Sequence, residues 1–426
     1  MKVLIVGGGG REHAIAWKLA QSPRVNELLA VPGNPGIARL ARCLPGKVEE
    51  IEALADLARR ERVNLTVVGP EAPLVAGIVD LFRSRGLRIF GPTAAAAQIE
   101  GSKAFAKQLM AAVGIPTAAF GVFTDPAAAR NYLEECALPV VIKASGIAAG
   151  KGVVIARSRE EARRTAEEML SGQAFGEAGQ QVVIEEFLEG QELSVMAFCD
   201  GTRFRTMVPA QDHKAVGDGD TGPNTGGMGT CSPVPVADAA LMQRIEGEVI
   251  APVLQAMADR GTPFQGVLFT GLMITADGPR VLEFNARFGD PETQTVLARL
   301  DSDLLEALEA TIEGRLDQLQ LVWSPEAAAC VVLASGGYPG AYRKGLPIEG
   351  VEEAETLGAM VLHAGTAEKS GQLVTAGGRV FGVVGRGASL RQALDQAYRG
   401  AEVIRFPGRH FRRDIGWRAL PSPNDL

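Results

Sequence analysis

Histidine is scarce in this sequence. Four occur among 426 residues, at positions 13, 213, 363 and 410, and no two stand at a metal-ligand spacing. A histidine-built metal centre is therefore not expected. His213 alone, in QDHK, falls inside an unusual segment. Cysteine is sparse too. Cys43, Cys136, Cys199, Cys231 and Cys330 are odd in number, scattered and without a C-x-x-C. This argues against a disulfide framework or zinc site and fits a reducing cytoplasm. No apolar run approaches the length of a membrane span. The VLIV stretch near the start is too short for the apolar core of a signal peptide. Positive charge is not in excess: 43 Lys and Arg face 50 Asp and Glu, a net charge of -7. Nucleic acid is not an expected partner. An anionic substrate would have to be met by local cations.

What is present is ordinary globular composition, 46% hydrophobic and 22% charged. The length suggests about two to four domains. Over residues 1–92, short apolar runs (KVLIVG, NELLAV, NLTVVG, LRIFG) alternate with helical patterns such as REHAIAWKLAQ and IEALADLARRE. That alternation predicts a parallel, doubly wound sheet. Two helices over 93–114 lead out of it. Beyond about 120 the texture changes. VVIKA, VVIA and VVIEEFL read as strands, and SREEARRTAEEML as a helix with Ser158 and Glu161 forming a capping box. ELSVMAFCDG and RFRTMV read as a hairpin. Residues 211–236 form a long stretch rich in Gly, Pro and Asp, expected to be a functional loop or disordered. A helix over 238–260, two strands and two helices follow. The last hundred residues read as a small separate α/β unit, and RALPSPNDL as a loose tail.

Several motifs carry chemistry. KASGIAAGKGVVIA (143–156) has glycines and a lysine, which suggests phosphate binding. It is not a P-loop. Gly146 and Gly150 are too close, Gly152 stands where Ser or Thr should hold magnesium, and the loop joins two strands. GGGGREHA (7–14) follows the first strand, so it could present helix N–H groups to an anion, or be a tight turn with no ligand. A dinucleotide fingerprint is disfavoured, since Glu12 occupies its last glycine position and no ribose-binding acid ends the second strand. PGNPG (32–36) and GPEAP (69–73) follow strands two and three, where ligands bind in open α/β sheets; simple turn chemistry is the competing reading. In EFNAR (283–287), Glu283, Asn285 and Arg287 share one strand face. Their oxygens suit a hard cation that keeps substrate phosphates in its shell, and Arg287 suits a developing phosphoryl charge. The alternative is a solvated face with Arg287 paired to Glu283. In GDPETQ, Asp290 reads as an N-cap with Pro291 at N1. VIEEFLEGQE (183–192) could offer its backbone to an adenine edge and Glu192 to ribose, or be an exposed strand end.

Taken together, GGGGREHA, PGNPG, GPEAPLVAGI, GPTAAAAQIEGSKAFAK, KASGIAAGKGV, IEEFLEGQE, QDHKAVGDGDTGPNTGGMG and EFNARFGDPETQ resemble the phosphoribosylamine–glycine ligase family. These are the glycinamide ribonucleotide synthetases of purine synthesis, within the ATP-grasp superfamily. The resemblance implies an N-terminal α/β domain over 1–102 and an ATP-grasp domain over 103–315 with a mobile lid at about 121–190. A C-terminal α/β domain over 325–418 and a flexible tail over 419–426 complete it. It implies ATP as co-substrate, Mg²⁺ or Mn²⁺ as metal, and glycine and 5-phosphoribosylamine as small-molecule substrates. It further implies a monomer, cytoplasmic and of the stand-alone bacterial form.

By the same resemblance, Lys103 and Lys143 face phosphate, and Gly146, Gly150, Lys151 and Gly152 belong to the mobile loop. Glu185, Glu186, Phe187 and Leu188 form the adenine hinge, and Glu192 holds ribose. Glu283 and Asn285 hold metal. Gly9, Arg11, Gly33, Asn34, Pro35 and Glu71 help hold the ribose phosphate. Asp212, Lys214, Asn224, Thr225, Arg287 and Asp290 line the substrate side, with Arg287, Lys143 and Asp212 catalytic. The sequence departs from the family pattern at Ser145, where Asp is usual, at Ala286, where Cys is common, and at Cys231, where an aromatic is common. A different ATP-grasp carboxylate–amine ligase, with another acceptor, is the alternative.

Overall fold

The computed structural model describes residues 1–147, 152–172 and 179–420. The first sheet has five strands: β1 (Lys2–Gly7), β2 (Glu27–Pro32), β3 (Arg42–Cys43), β4 (Leu65–Val68) and β5 (Ile89–Phe90). They run parallel in the order β3-β2-β1-β4-β5. Chain direction across the sheet reverses between β1 and β4, so the turns after these two strands open into one crevice. Helices α1 (Gly10–Leu19), α2 (Ile51–Arg60), α3 (Glu71–Val75) and α4 (Ile78–Ser84) supply the crossovers. The expected doubly wound sheet is observed. β1 is buried on both faces: Leu4 and Val6 enter one apolar cluster, Val3 and Ile5 another.

Helices α5 (Ala94–Gly101) and α6 (Lys103–Val113) lead out. The Ser102 hydroxyl accepts from Phe105 N at 3.2 Å at the start of α6, and Gly114 ends it with φ +71°. A four-stranded antiparallel sheet follows, built from β6 (Phe120–Phe123), β7 (Val140–Ala144), β8 (Val153–Ala156) and β9 (Val182–Glu186), with helices α7 (Pro126–Glu135) and α8 (Arg159–Leu170). Ser158 caps α8 as expected, but Glu161 returns its bond to Arg157 N, one residue before the cap. This unit has its own apolar cluster, including Leu133, Ile142, Ala162 and Met169.

The central sheet is β10 (Gln191–Gly201), β11 (Phe204–Thr206) and, later in the chain, β16 (Phe264–Thr275) and β17 (Gly278–Asn285), in the order β11-β10-β16-β17. Between them lies the stretch expected to be one long loop. It holds four short strands instead: β12 (Gln211–Asp212), β13 (Ala215–Gly217), β14 (Thr221–Asn224) and β15 (Gly229–Ser232). β13 and β14 pair as a hairpin. β12 and β15 join a sheet with β18 (Ala327–Ala334), β19 (Met360–His363) and β22 (Arg379–Gly387), in the order β12-β15-β18-β22-β19. The C-terminal sheet therefore reaches back into residues 211–232, and it is not built from the last hundred residues alone. β20 (Thr366–Lys369) and β21 (Gln372–Thr375) form a further hairpin.

The helix expected over 238–260 runs as α9 (Ala239–Ile245), a wider turn over 246–250 and α10 (Ala251–Asp259). α11 (Glu292–Ala298), α12 (Leu304–Ile312), α13 (Val351–Thr356) and α14 (Leu390–Val403) complete the helices. Arg412 is fully buried, donates to Ala215 O at 3.1 Å and pairs with Asp220 and Asp414. It ties the C-terminal segment to the β13–β14 hairpin. Ala419 is buried and Leu420 packs on the C-terminal cluster, so these two residues of the expected loose tail are seated; residues 421–426 lie outside the described ones. Among the described residues no helix is long and apolar enough to cross a membrane.

Two predictions follow from the packing. Leu133 is 2% exposed in the separate cluster of the β6-β9-β7-β8 unit. Leu133→Ala should cost about 2–5 kcal/mol locally. Hydrogen exchange should quicken across 120–186 while the N-terminal sheet keeps its protection; an even loss across both would contradict separate cores. Second, burial lowers the pKa of His13 to about 3 and of His213 and His363 to about 4. Unfolded histidines take protons near pH 6.5. As pH falls below that value the unfolded chain binds more protons, so stability is lost between about pH 6.5 and 4. The urea midpoint should fall from pH 7.5 to pH 5; a flat profile would contradict neutral burial.

Candidate active site

The chemistry concentrates on one edge of the central sheet. Along β17 and the residues after it, Phe284, Ala286 and Phe288 are buried, while Glu283, Asn285 and Arg287 line a cleft of about 460 Å³. The shared face expected from the two-residue strand period is observed. Arg287 does not pair with Glu283. Its Nη2 reaches Glu100 Oε1 at 3.0 Å and Asn285 Oδ1 at 3.0 Å, and its Nε lies 3.4 Å from Glu71 Oε2. Glu100 was not anticipated; its second oxygen accepts from Ala286 N at 2.7 Å. Among the described residues the Glu283 carboxylate makes no hydrogen bond and no close ion pair. Burial would raise its pKa, but Lys214, Lys143 and Lys103 hold the carboxyl below the usual range.

These residues fit a divalent metal of a particular kind. No cluster of three or more His, Cys, Asp or Glu among the described residues could form an all-protein cage. Glu283 and Asn285 instead offer a carboxylate without a protein donor and an amide oxygen on the same strand face. Two hard oxygens suit a cation that takes its other ligands from phosphate and water.

β7 and α6 supply cations to the same cleft. Lys143, on β7, reaches Glu185 Oε2 at 3.0 Å and Leu282 O at 3.2 Å. Lys107 reaches the same Glu185 oxygen at 2.9 Å and donates to Thr117 Oγ1 at 2.6 Å. Glu185 is thus a buried carboxylate shared by two lysines. Burial lowers the Lys107 pKa to about 8, against the pull of Glu185. Lys103 donates to Gly146 O at 3.1 Å. The Ser145 hydroxyl accepts from Ala104 N at 3.1 Å and meets the Ser102 hydroxyl at 3.3 Å, so the departure from Asp leaves the loop's start fastened to α6. Gly152 lines the cleft. Gly150 and Lys151 lie outside the described residues. Glu186 is exposed and turned to Arg280, 2.9 Å away, and to Ala119 N. Its side chain is thus occupied, and its backbone N–H donates to Ala119 O at 2.9 Å. Leu188 is buried and Phe187 half-buried, just past the end of β9.

On the other side, Glu192 pairs with Lys214 at 3.1 Å. Burial disfavours the Lys214 ammonium, but Glu192, Glu283 and Asp212 raise its pKa above the usual lysine range. Asp212 is 5% exposed, and burial and then the Glu292 charge push its pKa well up. Glu292, also unanticipated, accepts from Ser194 Oγ at 3.0 Å, and burial raises its pKa too. His213 accepts from Gly416 N through Nε2 at 3.0 Å, so its proton sits on Nδ1 and is donated to Gly229 O at 3.1 Å. It is a buried fastening, not an acid or base. Thr225 lines the cleft, whereas Asn224 is exposed on β14 and does not. Asp290 does not cap α11. It pairs with Arg379 at 3.1 Å and accepts from Gln294 Nε2 at 2.7 Å, because two side chains reach it before the helix N–H groups do. Tyr338 and Arg379, from the C-terminal sheet region, also line the cleft and carried no sequence signal.

The glycine-rich turns behave differently from expectation. Gly9 N donates to Glu12 Oε2 at 2.6 Å, and Arg11 Nε lies 2.6 Å from Glu12 Oε1. The chain's own carboxylate occupies the anion position at the start of α1, and a side chain at Gly7 or Gly69 would strike it. Gly9 therefore does not present a free N–H, and no room is left for a dinucleotide pyrophosphate. Arg11 and Glu71 line the cleft; Gly33, Asn34 and Pro35 do not. Asn34 donates to Gly8 O and His363 O at 2.9 Å each and accepts from Ile37 N at 2.8 Å, which uses its amide to lock the turn.

Comparison with known proteins agrees along the chain. Family models for phosphoribosylglycinamide synthetase match in order: the N domain over 1–100, the ATP-grasp (A) domain over 101–293 and the C domain over 328–418. The phosphoribosylamine–glycine ligase of Pseudomonas aeruginosa is 54% identical over 423 residues, covering 99% of this chain and 98% of that one. The Rhizobium meliloti enzyme of the same name is 51% identical over 420 residues, 99% of each. A crystal structure of phosphoribosylamine–glycine ligase from Thermotoga maritima superposes with a TM-score of 0.86 at 35% identity, over 97% of this chain and 100% of that one. The biotin carboxylase domain of the Hydrogenobacter thermophilus 2-oxoglutarate carboxylase, at TM-score 0.72 and 17% identity over 96% and 91%, shares the fold alone. By sequence, by domain order and by fold, this chain belongs to the phosphoribosylamine–glycine ligase family.

Proposed function

We propose that this chain joins glycine to 5-phosphoribosylamine at the expense of ATP, giving glycinamide ribonucleotide, ADP and phosphate. One observation carries the reading. The Glu283 carboxylate has no protein donor among the described residues, yet it shares a strand face with Asn285 and Arg287 and lies under Lys103, Lys143 and Lys214. Such a site is short of a polyanion and a metal.

A carboxylate oxygen is too poor a leaving group for an amine to displace. Transfer of the γ-phosphoryl of ATP to a glycine carboxylate oxygen breaks the β,γ-bridging bond and makes glycyl phosphate. The amine of 5-phosphoribosylamine then attacks the carbonyl carbon, the carbon–oxygen bond to phosphate breaks, and the nitrogen loses a proton. Phosphoryl transfer asks the protein for position and charge. Lys103 and Lys143 hold the triphosphate, and Glu185 fixes where Lys143 points. Arg287, steadied by Glu71 and Glu100, meets the transferring group. A divalent cation at Glu283 and Asn285, magnesium or manganese, supplies charge neutralisation on the phosphates. Asp212, in the cleft wall beside Lys214, takes the amine's proton. The backbone after β9 offers its open polar groups to adenine, and Glu192 to ribose. The stretch that joins β7 to β8, whose Ile147 and Gly152 line the cleft, shields the acyl phosphate from water. The family resemblance also leads us to place the enzyme in the cytoplasm, as a monomer.

ADP formation should require glycine, 5-phosphoribosylamine and a divalent cation together, and chelation by EDTA should stop it. ADP release indifferent to glycine would sink the reading. Glu283→Gln should lower kcat by at least about a hundredfold, equivalent to about 2.7 kcal/mol of lost charge stabilisation, with the thermal midpoint unchanged. Near-normal turnover in that variant would refute the metal assignment.

A further inference from the structure

The cleft is formed in part by two segments that are distant in sequence, the turn over 225–227 and the turn over 289–292. Each carries groups proposed above to meet substrate. They touch: Gly227 has φ +110°, and a side chain there would lie 2.7 Å from Asp212 Oδ1 and would strike Pro291. Thr225 closes the first turn on itself, donating to Lys214 O at 2.8 Å and accepting from Gly227 N at 2.9 Å. What joins the two turns comes from a third place. Arg379, at the start of β22, donates through Nη1 to Gly226 O at 2.6 Å and to Asp290 O at 2.9 Å, and its Nη2 pairs with Asp290 Oδ2 at 3.1 Å. Tyr338, in the loop after β18, accepts from Gly226 N through its hydroxyl at 3.0 Å. The Gly226 peptide is thus held at both polar atoms. A side chain at Gly226 would lie 3.1 Å from Arg379 Cζ, so the guanidinium rests flat on this glycine.

We propose that Arg379, assisted by Tyr338, is a positioning residue for the 5-phosphoribosylamine end of the cleft, fastening the 225–227 turn to Asp290 so that both face the acceptor together. This role rests on the function proposed above. A rigid planar fork holds two carbonyls and a carboxylate from fixed directions at once, a geometry that the point-like ammonium of a lysine does not reproduce. Reactions between two held substrates are sensitive to small displacements, so a loosened wall should harm acceptor use before it harms the nucleotide. The lid contributes Lys143 and Glu185 to the nucleotide side independently of this tie.

The test is steady-state kinetics of full-length Arg379→Lys, with freshly made 5-phosphoribosylamine and ATP varied in turn beside the unmodified chain. The KM for 5-phosphoribosylamine should rise at least about tenfold, the scale of a lost charged hydrogen bond, while the KM for ATP stays within about twofold. Equal increases in both, or no change in either with the variant folded, overturn the proposal. Tyr338→Phe removes one acceptor only; it should give a smaller change of the same selectivity, and it decides the matter if the arginine variant fails to fold. Amide exchange over 222–229, read without substrates, should quicken in the Arg379→Lys chain. Unchanged exchange rejects the tie whatever the activity. An unmodified chain that makes no product indicts the proposed reaction instead.

Discussion

The cleft works by incomplete charge pairing. Arg287 is taken up by Glu71 and Glu100, Lys107 and Lys143 share Glu185, and Lys214 meets Glu192. Glu283 has no such contact among the described residues, although three lysines hold its carboxyl ionised. In a partly buried cleft these charges interact more strongly than they would in water, and none can be ignored. In the reaction proposed above, a divalent cation on the Glu283 face and a triphosphate against the lysines would complete the balance from both sides. The pairing also fixes geometry. Lys143 is steered by Glu185 and Arg287 by Glu71 and Glu100, so in the proposed reaction these cations need little reorganisation when the nucleotide arrives.

The rest of the fold serves that arrangement. The β6-β9-β7-β8 sheet with α7 and α8 has its own apolar cluster, apart from the two that bind the N-terminal and central sheets together. A unit with a separate core can open without unpacking the body, which the reaction proposed above would use to admit ATP and then exclude water. The far end is built for stiffness. β12 and β15 lie in the same sheet as β18 and β22, and buried Arg412 ties the β13–β14 hairpin to the C-terminal segment. The segment that carries Asp212, Lys214 and Thr225 is therefore seated on C-terminal structure along much of its length.

Much of this was legible in the sequence where periodicity or turn chemistry speaks. The alternating runs of residues 1–92 gave the parallel sheet, and the two-residue strand period put Glu283, Asn285 and Arg287 on one face. Contacts between distant segments were not legible. Lys107 stands one helical turn beyond Lys103 on α6, yet only the approach of β9 makes it a partner of Glu185. Glu100 and Glu292 read as ordinary helix carboxylates until the fold buries them beside Arg287 and Asp212. Arg379 and Tyr338 are more than 40 residues beyond the last motif. Local rules also misled where tertiary groups arrived first. Glu12 fills the anion position that the glycine-rich turn seemed to offer, and Arg379 and Gln294 claim the carboxylate expected to cap α11.

The central claim is that Glu283 and Asn285 mark where metal and phosphates meet. Crystals grown with Mn²⁺ and ADP, with data collected for manganese anomalous scattering, test it most directly. The account predicts an anomalous peak within about 2.5 Å of both side-chain oxygens, bridged to the β-phosphate. A peak elsewhere in the cleft, with Glu283 untouched, would contradict it.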